Sequence, residues 1–143
     1  MPKPDPALLD ASRYPYTCRI EPRFSDLDVN MHINNVAVAK FFEDARVRFH
    51  YAIGYRTRTD DVKTMIASLA IEYLGEGAYP DPVDMHVAFE HVGRTSLSMA
   101  MLADQGGRPI AFSRSVLVRA GPNGAVPLPE DFPSICAGWM LRS

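Results

Sequence analysis

Hydrophobic positions recur at two different periods along this chain, and the changes of period mark its elements. Tyr16, Cys18 and Ile20 alternate with Thr17, Arg19 and Glu21, the pattern of a half-buried strand whose end Pro22 weakens. Val38, Phe41, Phe42, Ala45, Phe49, Ala52 and Ile53 then recur at steps of three and four, which predicts a helix with one buried face. Asn34 or Asn35 can cap its start and Gly54 can close it, giving about 19 residues and ~28 Å of helix at 1.5 Å per residue. Asp44 and Arg48, four apart, and Glu43 and Arg46, three apart, fall on its wet side.

After the helix the period shortens again. Met65, Ala67, Leu69, Ile71 and Tyr73 are in phase, and Val83, Met85, Val87 and Phe89 alternate with Asp84, His86 and Glu90. "VGRT" turns the chain into Leu97, Met99, Met101 and Ala103, and "DQGGRP" turns it again into a strand over 110–119. One strand, one long helix and about four further antiparallel strands describe an α+β domain whose helix covers one sheet face. The tail "LPEDFPSICAGWMLRS" reads equally as a short helix or a packed loop. Residues 1–13, opened by "MPKPDP", are expected to be a loose arm ahead of a single domain over 14–143.

Composition narrows the function classes. With 143 residues the chain can bury a core without disulfide or metal staples. Fifteen basic and seventeen acidic residues give a net charge of −2 with no basic stripe, so nucleic acid is not an expected partner. Cys18 and Cys136 form no CxxC or Cys/His cluster, the N-terminus has no signal-peptide apolar run, and no run approaches the ~18 residues of a membrane span. A cytoplasmic, soluble protein without metal or membrane partner is expected.

Candidate chemistry gathers in "RFSDLDVNMHINN", residues 23–35. Asp28, Asn30 and Asn34 can be turn and cap residues that satisfy backbone donors, with His32 on the surface. They can equally be a site. A helix N-terminus presents free N–H groups and partial positive charge, which suits a developing oxyanion, and Asp28 with His32 would set a carboxylate and an imidazole beside it.

The segment "RFSDLDVNMHINNVAVAKFFEDARVRF" resembles the signature of hot-dog-fold acyl thioesterases, both the 4-hydroxybenzoyl-CoA type and, in Asp28-x-Asn30-x-His32-x-Asn34-Asn35, the plant acyl-ACP type. The likeness extends through "ASLAIEYLGEG", "VAFEHVGRTSLSM" and "GGRPIAFSRSVLV", about residues 14–120. It implies a five-stranded antiparallel sheet wrapped around one long central helix. It also implies hydrolysis of acyl-CoA or acyl-ACP without a further cofactor, and a homodimer or dimer of dimers, with sheets joined edge to edge and sites at the interface. Asp28 matches the catalytic aspartate, Asn30 and His32 the polar partners, and the Asn35 N–H the group that polarises the thioester carbonyl. Glu76 aligns with an acidic residue of the plant site, but Gly77 replaces the cysteine beside it, which excludes a nucleophilic cysteine there. Met31 stands where similar sequences have Gly or Gln. Asp28 could attack directly or act as general base, and the neighbouring polar groups favour the second.

Other candidates have competing readings. Glu43 is the position at which another hot-dog branch carries its acid, and it is also a solvated partner for Arg46. Arg94 and Ser96 resemble a hairpin near the CoA or phosphopantetheine arm, where Arg would meet a phosphate, and a simple turn explains them as well. His86 and His91 are expected to be surface or core-edge residues, and Met65, Met85, Met99 and Met101 core. The expected acyl pocket lies between helix and sheet, beside Val38, Phe42, Met65, Leu69, Phe89 and Met99. No arginine is in phase with those strand positions, so neutral acyl groups are expected to fit better than dicarboxylic ones. A hot-dog hydratase or dehydratase spaces its aspartate and histidine five apart with an Asn-Pro between, unlike Asp28 and His32. A non-catalytic acyl-binding module would use the polar set only as turn geometry.

Overall fold

The computed structural model describes residues 3–55, 58–59 and 61–143. Its strands are β1 (Tyr16–Ile20), β2 (Arg58–Thr59), β3 (Val62–Tyr73), β4 (Val83–Val92), β5 (Ser96–Gln105), β6 (Arg108–Gly121) and β7 (Gly124–Ala125), with a long helix α1 (Asn35–Ile53) and a short one, α2 (Phe132–Cys136). They form one sheet in the order β1-β4-β5-β6-β3-β2, with β7 on β6, and every pair of strands is antiparallel. This curled sheet around a single long helix is the hot-dog fold. The expected five strands are all present, joined by two of only two residues each.

The helix begins where the sequence predicts it. The Asn34 side chain accepts from the Val36 N–H at 2.7 Å, and Gly54, at φ 78°, ends it in a left-handed turn that costs a glycine little. Its face Ala37, Val38, Phe41, Phe42, Ala45 and Phe49 packs on Val83, Met85, Val87 and Phe89 of β4 and on Leu97, Met99 and Met101 of β5. Phe49 is fully buried against Tyr16, Phe89 and Trp139, and removing such a side chain typically costs ~3–5 kcal/mol.

Several expectations change. A β-bulge between Ile66 and Ser68 breaks the phase of β3. Ile66 pairs with the buried Leu117, and after the bulge Leu69 and Ile71 take the helix side, while Met65 pairs with Val118 and is 49% exposed. Met65 is therefore not a core residue, although Met85, Met99 and Met101 are. The arm is not loose: residues 6–9 and 11–13 form 3₁₀ turns that seat Leu8 and Tyr14 on Ala88, Ala100, Leu102 and Phe112, on the sheet face opposite α1. Tyr14 donates to the Leu8 carbonyl at 2.6 Å, and the Arg142 N–H donates to the Arg13 carbonyl, tying the two ends of the chain together. His86 is buried rather than at the surface, with Nδ1 2.7 Å from the Thr17 hydroxyl and Nε2 2.6 Å from Asp104 Oδ2. His91 is exposed. The tail forms α2, which buries Phe132 and Cys136.

Candidate active site

The loop between β1 and α1 is built by its own short polar side chains. The Arg23 N–H donates to Asp26 Oδ2, and the Asn34 N–H to the Asp26 carbonyl. Asp28 Oδ1 accepts from the N–H groups of Asn30, at 2.8 Å, and His32, at 3.2 Å, while the Asp28 N–H donates to the His32 carbonyl. The turn thus has the geometry expected of Asx residues, and it leaves Asp28 Oδ2 without a hydrogen bond from the described residues. Met31 sits at φ 62°, the left-handed region that glycine occupies most readily.

A second loop, after β3, closes on this turn. The Ile33 N–H donates to the Gly77 carbonyl at 3.0 Å, and a Cβ on residue 77 would stand 2.8 Å from Ile33 Cδ1. Close backbone approach therefore explains glycine at 77. His32 Nε2 lies 3.1 Å from Glu76 Oε2, and the Glu76 carbonyl accepts from Arg108. Tyr73, at the end of β3, donates its hydroxyl to the Asn35 carbonyl at 2.9 Å and so holds the first turn of α1 against the sheet. The Asn35 N–H makes no hydrogen bond to the described residues, as befits a first-turn donor.

Asp28, His32, Glu76 and the start of α1 are thus brought together, with Asn30 exposed beside them. Glu43 is not among them. It lies eight residues into α1, ~12 Å along the axis at 1.5 Å per residue, 72% exposed and 4.0 Å from Arg46. Phe42 lines a cavity of about 240 Å³ between α1 and the sheet, together with Val36, Leu69 and Met101. Val38, expected to line it, is instead packed in the core at 4% exposure, as are Phe89 and Met99. Arg94 and Ser96 stand at the far end of the ten-residue β4, ~30 Å of strand from the loop of the same chain.

Lys40, Arg46, Ser113 and Ser115 also line the cavity; Arg46, expected on the wet side of the helix, has a side chain only 15% exposed because it turns in toward the sheet, and the other three carried no expectation. The signal lay in "AFSRSVL": Ser113 and Ser115 share a phase with the buried Ala111 and Leu117. Burial pushes the thiols of Cys18 and Cys136 up, the latter to about 12, so neither is a ready thiolate. Among the described residues no group of three or more His, Cys, Asp or Glu could hold a metal ion, and no helix is long and apolar enough to cross a membrane.

The architecture is that of the hot-dog thioesterases. A family model for the thioesterase-like superfamily matches residues 22–135, and the chain belongs to that superfamily. Among solved structures it is similar to the PA5185 protein from Pseudomonas aeruginosa strain PAO1 (21% identity, 92% of this chain and 95% of that one, TM-score 0.81). It is also similar to a thioesterase from Thermus thermophilus complexed with coenzyme A and Zn (29%, 87% and 93%, TM-score 0.77). The YsmA protein of Bacillus subtilis (strain 168) is 26% identical over 102 residues, 71% of this chain and 69% of that one.

Proposed function

We propose that the protein hydrolyses acyl thioesters of coenzyme A or of a carrier protein to the free acid and the thiol. The observation that carries this reading is the bonded turn before α1, which keeps Asp28 Oδ2 and the His32–Glu76 pair beside the Asn35 N–H, which has no partner among the described residues. The coenzyme A held by the thioesterase from Thermus thermophilus supports the acyl-CoA form of the substrate.

In this mechanism the thioester carbonyl accepts from the Asn35 N–H, where the helix dipole favours the negative charge that grows on oxygen. Asp28 takes a proton from water as the water oxygen bonds to the carbonyl carbon, and Asn30 and His32 hold that water. Collapse of the tetrahedral intermediate breaks the C–S bond, and the proton passes from Asp28 to the departing thiolate. A thiol of pKa ~8.5 leaves readily, so no second acid is required. Glu43 takes no part, because a carbonyl seated on the Asn35 N–H lies a turn or more from it.

The site is completed by a second copy of the chain. Among the described residues only the first ones of β3 are paired on its outer edge, by β2, and beyond them the strand presents N–H and C=O groups with no described partner and exposed Ile66 and Leu69. Joining two β3 edges antiparallel sets the Met65 end of one against the Tyr73 end of the other. Because Ser96 pairs with Val118 at the Met65 end, the Arg94–Ser96 hairpin then falls at the partner's loop end, where it can meet a phosphate of the coenzyme arm. Thiol release from a panel of acyl-CoA substrates, by the wild type and by Asp28→Asn, tests the reading. Turnover that Asp28→Asn abolishes is expected, and a wild type inert on every thioester would overturn it.

A further inference from the structure

The cavity along α1 carries more polar chemistry than an aliphatic chain can use. Ser113 and Ser115 on its floor are 1% and 3% exposed, and neither hydroxyl has a hydrogen-bond partner among the described residues. Arg46, its side chain 15% exposed, has one carboxylate near it, Glu43, at 4.0 Å. Burial lowers the guanidinium from its ordinary value without discharging it. Lys40 is the other cation on the lining, so two cations face the single carboxylate of Glu43, which stands largely in solvent. A neutral chain seated here would strip water from a guanidinium and leave two hydroxyls, already cut off from solvent, without a hydrogen bond.

Strand register sets the distances. Tyr73, which holds Asn35, pairs with Ala111, whereas Ser113 pairs with Ile71 and Ser115 with Leu69. The two serines therefore lie one and two same-face steps, ~7 and ~13 Å at 3.3 Å per residue, from the end of the groove where the thioester carbonyl sits. Arg46 is three turns along α1, and its side chain leans back toward the helix N-terminus. Guanidinium and ammonium groups only donate, which selects an acceptor, and the charge balance selects an anionic one.

Building on the thioesterase reading, we propose that this cavity selects short acyl groups ending in a carboxylate, of about five or six carbons, with Arg46 and Ser113 donating to the distal carboxylate. On this proposal the helix supplies the basic residue that the strand pattern lacks, and the preference is the reverse of the one for neutral acyl groups expected from sequence.

Adipyl-CoA and hexanoyl-CoA, equal in carbon number, test this through the ratio of their kcat/KM values. The wild type is expected to favour adipyl-CoA by about tenfold or more, as sites built for a polar group do. Arg46→Met is expected to bring the ratio to one or below, and Ser113→Ala to lower it several-fold. Hexanoyl-CoA ahead in the wild type, or a ratio that Arg46→Met leaves unchanged, would overturn the proposal. Thermal shift with free adipate and free hexanoate separates the pocket from the chemistry. If neither thioester is cleaved, the hydrolysis reading fails. Stabilisation by adipate that Arg46→Met removes then still supports the pocket, and no stabilisation of the wild type by adipate counts against it.

Discussion

His32 Nε2 lies 3.1 Å from Glu76 Oε2, which joins the loop that starts the helix to the loop that ends β3. Both side chains are substantially exposed, so the pair adds little to stability. Its consequence is orientation, because it fixes which way the imidazole faces. Glu76→Gln is expected to lower kcat about three- to tenfold with little change in melting temperature, and His32→Ala by about tenfold or more. In the double variant the losses should not multiply, since one residue acts through the other. Fully multiplicative losses would show that Glu76 acts independently of His32.

On the proposed mechanism Asp28 has two duties that substitution can separate. Its Oδ1 holds the turn by accepting from Asn30 and His32, and an amide oxygen can do the same. Asp28→Asn is therefore expected to keep the fold while lowering kcat by about two orders of magnitude or more. Asp28→Ala should add a loss of about 1 kcal/mol of stability, in the range of a lost cap. Glu43→Gln should change kcat little. If the kinetic results for positions 28 and 43 are exchanged, the helix carboxylate is the catalyst.

Met31 carries strain that its exposed side chain does not repay with packing. Its φ of 62° typically costs a non-glycine residue ~1–2 kcal/mol, and the side chain is 58% exposed. Met31→Gly relieves that cost against the greater chain entropy of glycine when unfolded, for a net gain of up to about 1 kcal/mol in denaturant unfolding. Met31→Ala should give no gain, and an equal gain from alanine would place the effect elsewhere. Gly77→Ala is expected to destabilise, since its Cβ would meet Ile33 Cδ1 at 2.8 Å.

The sequence made the helix legible because capping and a 3.6-residue period are local signals: Asn34, Gly54 and the buried face from Ala37 to Phe49 all read directly. Strand identity was legible for the same reason, but strand phase in β3 was not. A bulge inserts one residue with no composition cue, and it moved Met65 to the opposite face from Leu69. Outer-face burial was also hidden. His86 reads as exposed by alternation, and only the chain ends packed over that face reveal it as a partner of Thr17 and Asp104. Within the candidate site, the residues of one loop were found together because they are adjacent in sequence. Arg46 and the serines of β6 were missed because their meeting depends on how the helix crosses the sheet.

The open edge of β3 leads to an expectation about assembly. Exposed Ile66 and Leu69 beside unpaired backbone groups are normally covered, and a twofold β3 contact covers both sets at once. Light scattering at micromolar concentration is expected to give a dimer or a higher even-numbered assembly. A stable monomer with full activity would remove the partner's hairpin from the proposed site.

His50 sets the acid sensitivity of the fold. It is 2% exposed between Phe49 and Tyr55, and neither ring nitrogen has a hydrogen-bond partner among the described residues. Burial, with a smaller contribution from the Arg46 charge, pulls its pKa down from 6.5 to about 4. Between those values the unfolded chain binds the proton that the folded chain refuses, so stability rises with pH across the window and is complete above about pH 6.5. On acidification that contribution is lost progressively, about 2 kcal/mol by pH 5 from this residue alone. His50→Phe keeps a ring among aromatic neighbours and has no proton to bind. Unfolding free energies at pH 7 and pH 5 are therefore expected to differ by about 2 kcal/mol less in the variant than in the wild type. The same pH dependence in both would show that His50 is not the group that titrates.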